Sequence, residues 1–320
     1  MEDRKATVKD TRQAATVHDL MDAVNRVLLD KSDVVELVTV CLVSGGHVLL
    51  EDVPGVGKTT LAKILARSVG ATFRRIQFTS DMLPADVIGV SVFDSTKGQF
   101  AFKPGPIFAQ LVLADEINRT PPRTQSALLE AMSEGQVTVD NETRSLPDPY
   151  FVIATQNPLE LHGTYPLPES QMDRFMMSLN VGYPSDAVER SVIVQDEDRA
   201  RLQAVPVVAN PALLLSWRTA SQTPVVKDEV VGYLQAILKG TREADEILLG
   251  ASPRAGIQLF RAVRALAWIR GRDFVTPDDV RCLAPHVLAH RLWLHGERSG
   301  SRRAQARNVL MKIVESVPLP

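Results

Sequence analysis

His47-Val48-Leu49-Leu50-Glu51-Asp52-Val53-Pro54-Gly55-Val56-Gly57-Lys58-Thr59-Thr60 is the stretch on which the fold turns. Its apolar opening predicts a buried strand. Pro54 to Gly57 predicts a tight turn, and Lys58 onward a helix to about Val69, with Gly70 as its stop. A strand, a glycine-containing turn and a helix in that order mark a phosphate-binding loop. Backbone N–H groups freed by the turn and by the helix N-terminus converge on an anion. Gly55 and Gly57 admit backbone conformations that a side chain would forbid. Lys58 would place its charge against the β- and γ-phosphates, and Thr59 would offer its hydroxyl to Mg²⁺. The predicted cradle comprises Asp52, Val53, Pro54, Gly55, Val56, Gly57, Lys58, Thr59 and Thr60. It departs from the usual pattern at Asp52, which stands where the first glycine is expected, so that edge starts without glycine's freedom.

Outward from this loop the chain alternates strands and helices. Upstream, residues 1–18 are polar and expected to fray. His18–Leu29 carries apolar residues at helical spacing, and Ser32 is placed to cap a second helix through Val43, closed by Gly45-Gly46. Downstream, Thr72–Phe78 reads as a strand and Ala85–Gly89 as a short turn. Val90–Phe102 reads as a hairpin turning at Ser95-Thr96-Lys97-Gly98. Gln110–Ala114 is a second buried strand. Thr120-Pro121-Pro122 starts a helix that stops at Gly135. Gln136–Leu146 is a hairpin turning at Asp140-Asn141, and Tyr150–Thr155 is a further strand. Pro168–Phe175 is a short helix, and Met176–Val181 the last strand. Apolar strands separated by helices argue for a parallel α/β sheet covered on both faces. Beyond about Ser185 the strand signal ends, and helical patterns run over 186–201, 210–220, 227–239, 253–270 and 276–294. The expected organisation is an α/β nucleotide-binding domain over 1–185, a charged linker over 186–204, and a smaller all-α domain over 205–320.

Composition bounds the function. With 320 residues there is material for one large and one smaller domain. A net charge of −2 exerts no general pull on nucleic acid or anionic membrane. Two cysteines, Cys41 and Cys282, lie far apart in apolar surroundings and read as buried thiols of a reducing compartment. No apolar run of membrane-spanning length and no secretory leader is visible, so a cytoplasmic location is expected.

A phosphate cradle hydrolyses nothing by itself; it needs a metal anchor, a polarised water and charge neutralisation on the transferring phosphoryl group. Leu111-Val112-Leu113-Ala114 ends at Asp115 and Glu116. A parallel strand aims its C-terminal end at the crevice where ligands bind. Asp115 there can hold the Mg²⁺ shell, and Glu116 can orient and deprotonate the attacking water. Asn157 leaves the 150–155 strand in the same direction, as either a turn residue before Pro158 or a neutral group that fixes that water.

Five segments together resemble the MoxR family of AAA+ ATPases: His47–Thr60, the block from Leu113 to Met132, Ile153–Pro158, Met172-Asp173-Arg174-Phe175 and Ser252-Pro253-Arg254-Ala255. The resemblance spans roughly 20–295. It implies an AAA+ core with a helical lid, ATP and Mg²⁺ as cofactors, and a ring-shaped homo-oligomer, most often a hexamer. By it, Lys58 and Thr59 match the Walker A motif, Asp115 and Glu116 the Walker B motif, Asn157 sensor 1 and Arg254 sensor 2. Arg174 matches the arginine finger given to a neighbouring subunit; Arg119 and Arg123 are further basic residues that could face a neighbour. The family implies chaperone-like remodelling or metal-cofactor maturation of a protein partner, often one with a von Willebrand factor A domain. A nucleic-acid motor of the MCM type, or a nucleotide-gated scaffold with negligible turnover, are the alternatives; magnesium chelatase subunits belong to the same clade.

Two other features carry less. Cys282, His286 and His290 share a helical stripe, but Pro285 is expected to interrupt the helix and no acidic partner lies in the stripe. The Arg298–Arg307 cluster lacks interleaved aromatics for base stacking and reads as a solvated helix or tail. Phe93, Phe100 and Phe102 beside Lys97 and Gly98 leave the Val90–Phe102 hairpin two readings, a partner-facing element or rings that pack on their own domain.

Overall fold

The computed structural model describes residues 17–157, 163–195, 202, 204–296 and 302–320. Expectations for residues 1–16, Pro158, 196–201 and Arg298 fall outside these. The core is a five-stranded parallel sheet of β1 (Val48–Glu51), β2 (Phe73–Gln77), β5 (Leu111–Asp115), β8 (Phe151–Gln156) and β9 (Met177–Leu179). Its spatial order is β2-β5-β8-β1-β9. Helix α1 covers 17–25, α2 Ser32–Val43, α3 Lys58–Ser68 and α5 Pro122–Glu134. Alternation along each strand divides its apolar residues between two cores. Val48, Leu50, Leu113 and Ile153 face the core shared with α2 and α3, whereas Leu49, Val112, Ala114 and Val152 face the core under α5.

His47, one residue before β1, pins this arrangement. It is 7% exposed. Its Nδ1 accepts the Val152 N–H at 3.1 Å, so its Nε2 carries the proton and donates to the Met132 carbonyl at 3.1 Å. One neutral imidazole thus bonds β8 and the end of α5.

The structure revises several local expectations. Ser32 does not cap α2; it is the first helical residue, and the cap position falls on Lys31, which makes no side-chain bond there. Residues 84–88 form a one-turn helix, α4 (Pro84–Ile88), because the Asp86 carboxylate accepts the Leu83 N–H at 2.8 Å. The expected hairpin is β3 (Gly89–Asp94) with β4 (Gln99–Pro104). A Cβ on Gly89, whose φ is +101°, would lie 2.4 Å from the Lys103 carbonyl, so the hairpin root admits only glycine. β6 (Gln136–Val139) and β7 (Glu142–Ser145) turn at Asp140 and Asn141, both at positive φ, as the sequence predicts.

The short α6 (Glu169–Met172) precedes β9, and α7 (Asp186–Gln195) follows it. Beyond lie α8 (Pro211–Ala220), α9 (Asp228–Glu243), α10 (Pro253–Ile269), α11 (Pro277–Leu288) and α12 (Arg302–Ser316). Asn210 caps α8 and Ser252 caps α10 through their side-chain oxygens. This part is not wholly helical: Ile247–Leu249 (β10) and Trp293–Leu294 (β11) pair antiparallel, in runs too short to give a periodic signal. Pro285 lies within α11 rather than ending it. The arginine-rich end is a helix whose Ala306, Leu310 and Val314 are buried, and Arg303 pairs with Glu51 at the end of β1. Cys41 is buried but Cys282 is exposed.

Burial holds the His47 imidazole neutral and pushes its pKa down to about 4. The unfolded chain, with an ordinary imidazole near pH 6.5, therefore binds more protons between pH 6.5 and 4. Stability should fall through that window, by on the order of 2 kcal/mol at pH 5 from this residue. Urea unfolding at pH 7 and pH 5 measures the loss. An NMR titration placing the His47 midpoint near 6.5 would contradict the assignment.

Candidate nucleotide site

The C-terminal ends of β1, β5 and β8 open onto one cleft, lined by Pro54, Gly55, Gly57, Lys58, Thr59, Thr60, Arg75, Asp115, Glu116, Thr155 and Asn157. The first six come from the loop after β1 and the first turn of α3. Gly55 and Gly57 have φ of +88° and +91°. A side chain in that region is strained, so glycine is what permits the tight turn between β1 and α3. Lys58 Nζ donates to the carbonyls of Asp52 at 2.7 Å and Val53 at 3.0 Å, bracing the loop from inside. Burial lowers its pKa, against the opposing pull of Asp52, Asp115 and Glu116.

Asp52 turns its carboxylate away from the cleft. Its Oδ2 accepts the backbone N–H of Gly182 at 2.9 Å and also that of Val181. Its own N–H donates to the Gln156 carbonyl at 3.2 Å. The loop therefore begins anchored to both neighbours of β1. Asp52 is absent from the positive-φ positions, so no glycine is needed there. Val53 and Val56 likewise lie off the cleft wall, Val56 being buried.

Asp115 closes a strand that is buried throughout and is itself 8% exposed. A buried carboxylate must be compensated. Thr155 Oγ1 donates to its Oδ1 at 2.5 Å, and Arg75 donates to its Oδ2 from Nε at 3.0 Å and Nη2 at 2.7 Å. Thr155 Oγ1 also accepts the Glu116 N–H at 2.8 Å. Glu116 sits in the left-handed region, φ 57° and ψ 49°, a conformation that costs a non-glycine residue about 1 kcal/mol or more. Its carboxylate accepts from Gln77 Nε2 at 2.8 Å and from Arg119 Nη1 at 3.1 Å. The loop after β5 is bonded in turn to the loop after β8, since Asn118 Nδ2 donates to the Asn157 carbonyl at 3.3 Å. Buried Gln125 donates to the carbonyls of Ile117, Thr120 and Tyr165.

The structure thus brings together Lys58, Thr59, Asp115, Glu116 and Asn157. It leaves Arg174 and Arg254 outside the cleft. Arg174 Nη1 donates to the Leu129 carbonyl at 2.9 Å and to Ser133 Oγ, on α5. Arg254 is exposed in the first turn of α10. Arg75, Gln77 and Thr155 are site residues that motif reading misses. Period-2 alternation does place Arg75 and Gln77 on one face of β2, but only the pairing of Gln77 with Asp115 sets that face beside the acids.

A chain of contacts joins the residue before Arg174 to the helical part. Arg291, with 3% of its side chain exposed, donates from Nε to Asp173 Oδ1 at 2.8 Å and from Nη2 to the Phe175 carbonyl at 2.5 Å. It also bonds Gln258 and the Val287 carbonyl. Ser252 Oγ donates to Asp173, and His290 Nε2 bonds the Phe175 carbonyl at 3.2 Å. Burial lowers the Arg291 pKa to about 10 while Asp173 supports its charge, so it remains a cation at neutral pH. His290 is used in this joint, and no cluster of metal-ligating side chains occurs among the described residues.

An oxygen donor set of Thr59 hydroxyl and Asp115 carboxylate, without sulfur or imidazole, suits a hard cation such as Mg²⁺ that keeps several waters. Among the described residues, no helix is long and apolar enough to cross a membrane.

Comparison with known proteins agrees with this architecture. Residues 47–177 match the ATPase family associated with various cellular activities (AAA), and residues 239–309 match the AAA lid domain. The chain is 47% identical to the Bacillus subtilis protein YeaC, covering 94% of this chain and 93% of that one. It is 41% identical to Chaperone MoxR1 of Mycobacterium tuberculosis, over 96% of this chain and 84% of that one. A crystal structure from Cytophaga hutchinsonii superposes with a TM-score of 0.90 at 35% identity, covering 100% of this chain and 99% of that one.

The joint at Arg291 gives a stability prediction. Arg291→Ala leaves the Phe175 and Val287 carbonyls without this donor and half-buried Asp173 without its cation, and should cost about 2–4 kcal/mol in urea unfolding. A loss below about 1 kcal/mol would mean that the joint is solvated and carries little.

Proposed function

This chain belongs to the MoxR family of AAA+ ATPases, and we propose that it hydrolyses ATP in a Mg²⁺-dependent reaction and uses the cycle to remodel or assemble a protein partner. The observation that carries the proposal is the convergence of Lys58, Thr59, Asp115, Glu116 and Asn157 on one cleft. The loop from Pro54 to Thr60 receives the triphosphate on its N–H groups, with Lys58 as its cation. Thr59 and Asp115 hold Mg²⁺, which when bound neutralises phosphate charge. Glu116 accepts the proton of the attacking water, after release from Gln77 and Arg119, and Asn157 orients that water.

Arg174 lies outside its own cleft and follows α6, which supports its donation to the nucleotide of a neighbouring subunit in a ring, most often a hexamer in this family. Arg254, at the start of α10, lets the lid sense the phosphates. The Arg291–Asp173 joint supports lid tilt and Arg174 moving as one body. We place the α/β domain at 1–185, the linker at 186–204 and the lid at 205–320, in a cytoplasmic protein without nucleic-acid substrate.

The β3–β4 hairpin is the candidate contact for the partner, which family habit makes a von Willebrand factor A-domain protein or a client awaiting its metal cofactor. Phe93 and Phe100 are 55% and 73% exposed and meet edge to face at 5.3 Å. Phe102 is not part of that surface. It packs on Phe108, with the Arg144 guanidinium 4.1 Å from its ring centre.

Two measurements test the ATPase reading. Lys58→Ala should abolish nucleotide binding, and Glu116→Gln should keep binding while turnover falls about 100-fold or more, because an amide cannot take the water's proton. Wild-type turnover in Glu116→Gln would remove Glu116 as the base.

Subunit coupling is tested by mixing. Arg174→Ala should bind ATP and hydrolyse it poorly. Combined with Lys58→Ala subunits it should regain part of the activity, since a mixed interface pairs an intact cleft with an intact Arg174. Exchange demonstrated by labelling, with no activity regained, would count against a finger acting at single interfaces.

A further inference from the structure

Arg75 is not assigned by any motif in the sequence, yet it touches the carboxylate on which the metal site depends. It projects from β2, the edge strand of the sheet. Two of its nitrogens converge on one oxygen, Asp115 Oδ2, at 3.0 and 2.7 Å, while Oδ1 is engaged by Thr155 at 2.5 Å. A cation coordinated at Oδ2 would lie next to the guanidinium, and two positive charges on one oxygen repel strongly in a partly buried site. The two sides of the pair differ in freedom. The Asp115 side chain is 11% exposed and held by Thr155; the Arg75 side chain is 47% exposed. Its Nη2 also donates to Gln77 Oε1, at 2.6 Å, on its own strand. Arg75 therefore has solvent to swing into once another cation takes its place, whereas Asp115 is enclosed and held by Thr155.

We infer that Arg75 is a positioning residue that competes with the divalent cation for Asp115 Oδ2. The inference rests on the reading of the cleft as a metal–nucleotide site. In it the buried charge of Asp115 is handed from one cation to the other, so that it is compensated throughout. The competition also sets how much divalent ion the site requires. Removing the guanidinium should tighten metal binding, because the carboxylate then loses its alternative partner. A hydrogen bond to a charged group is typically worth a factor of about ten or more in an equilibrium constant, which sets the expected scale.

The test uses Mn²⁺ as probe. Free Mn²⁺ is counted by EPR as it is titrated into the full chain with β,γ-imido ATP. Arg75→Gln should bind Mn²⁺ about tenfold more tightly than wild type, and Arg75→Lys, which keeps a cation on β2, should stay near wild type. A merely structural Arg75 would weaken Mn²⁺ or leave it unchanged in Arg75→Gln, and either result overturns the inference. Wild type binding neither nucleotide nor Mn²⁺ would overturn the site reading and the inference with it. Wild type binding both, with Arg75→Gln no tighter, overturns the inference alone. The wild-type chain supplies a measurement independent of any variant folding. The Arg75 Nε–H resonance should shift to the position of a solvated arginine as Mg²⁺ is added with the analogue. A resonance unmoved at saturating Mg²⁺ contradicts the competition.

Discussion

A carboxylate buried at the end of a buried strand is the constraint on which the candidate site depends. A carboxylate in that position needs hydrogen-bond partners that compensate its burial. Thr155 on β8 supplies one and Arg75 on β2 the other, so the two strands flanking β5 are both committed to the same side chain. Thr155 also accepts the Glu116 N–H, which fixes the left-handed conformation of Glu116 and aims its carboxylate toward Gln77 and Arg119. The positions of both acids thus follow from satisfying one buried charge.

A second buried charge governs the relation between the α/β sheet and the lid. Arg291 is enclosed, and its donors are shared between Asp173 and Phe175 on one side and Gln258 and Val287 on the other. A guanidinium held by a planar fork of bonds tolerates little sliding. Arg270, which follows the last residue of α10, adds a bidentate pair with Glu36 of α2, at 3.1 and 3.0 Å. Residues after α7 are joined in the same way: Val208 and Ala209 N–H groups bond the Ser68 carbonyl, and Ser221 bonds that of Val43. The helical part is therefore attached by polar groups at defined points as well as by apolar packing.

Much of the fold was legible in the sequence. The apolar strands announce themselves because a parallel sheet buried on both faces needs unbroken apolar runs, and Gly55, Gly57, Gly135 and the Asp140-Asn141 turn occupy positive-φ positions. Lys58, Thr59, Asp115 and Glu116, which line one cleft, stand out in the sequence because their chemistry is tied to local order: strand, turn, helix; strand, then acids. What misled was equally local. The arginines from 302 onward suggest a solvated helix or tail, yet Ala306, Leu310 and Val314 of that helix are buried. Pro285 looked like a helix end, yet α11 continues through it to Leu288.

The sequence by itself determined the strand–loop–helix cradle and the residue types that could meet phosphate and metal, since backbone conformation and side-chain chemistry there depend on near neighbours. Only the tertiary structure decided that β8 lies between β1 and β5. That order sets Thr155 beside Asp115 and Asn157 above the cradle, and the register of β2 against β5 brings Arg75 to the same carboxylate. Strand order and register are chosen by the packing of whole faces and by long-range hydrogen bonds such as those of His47 and Asp52. Such contacts leave no periodic trace in the sequence near the residues they place.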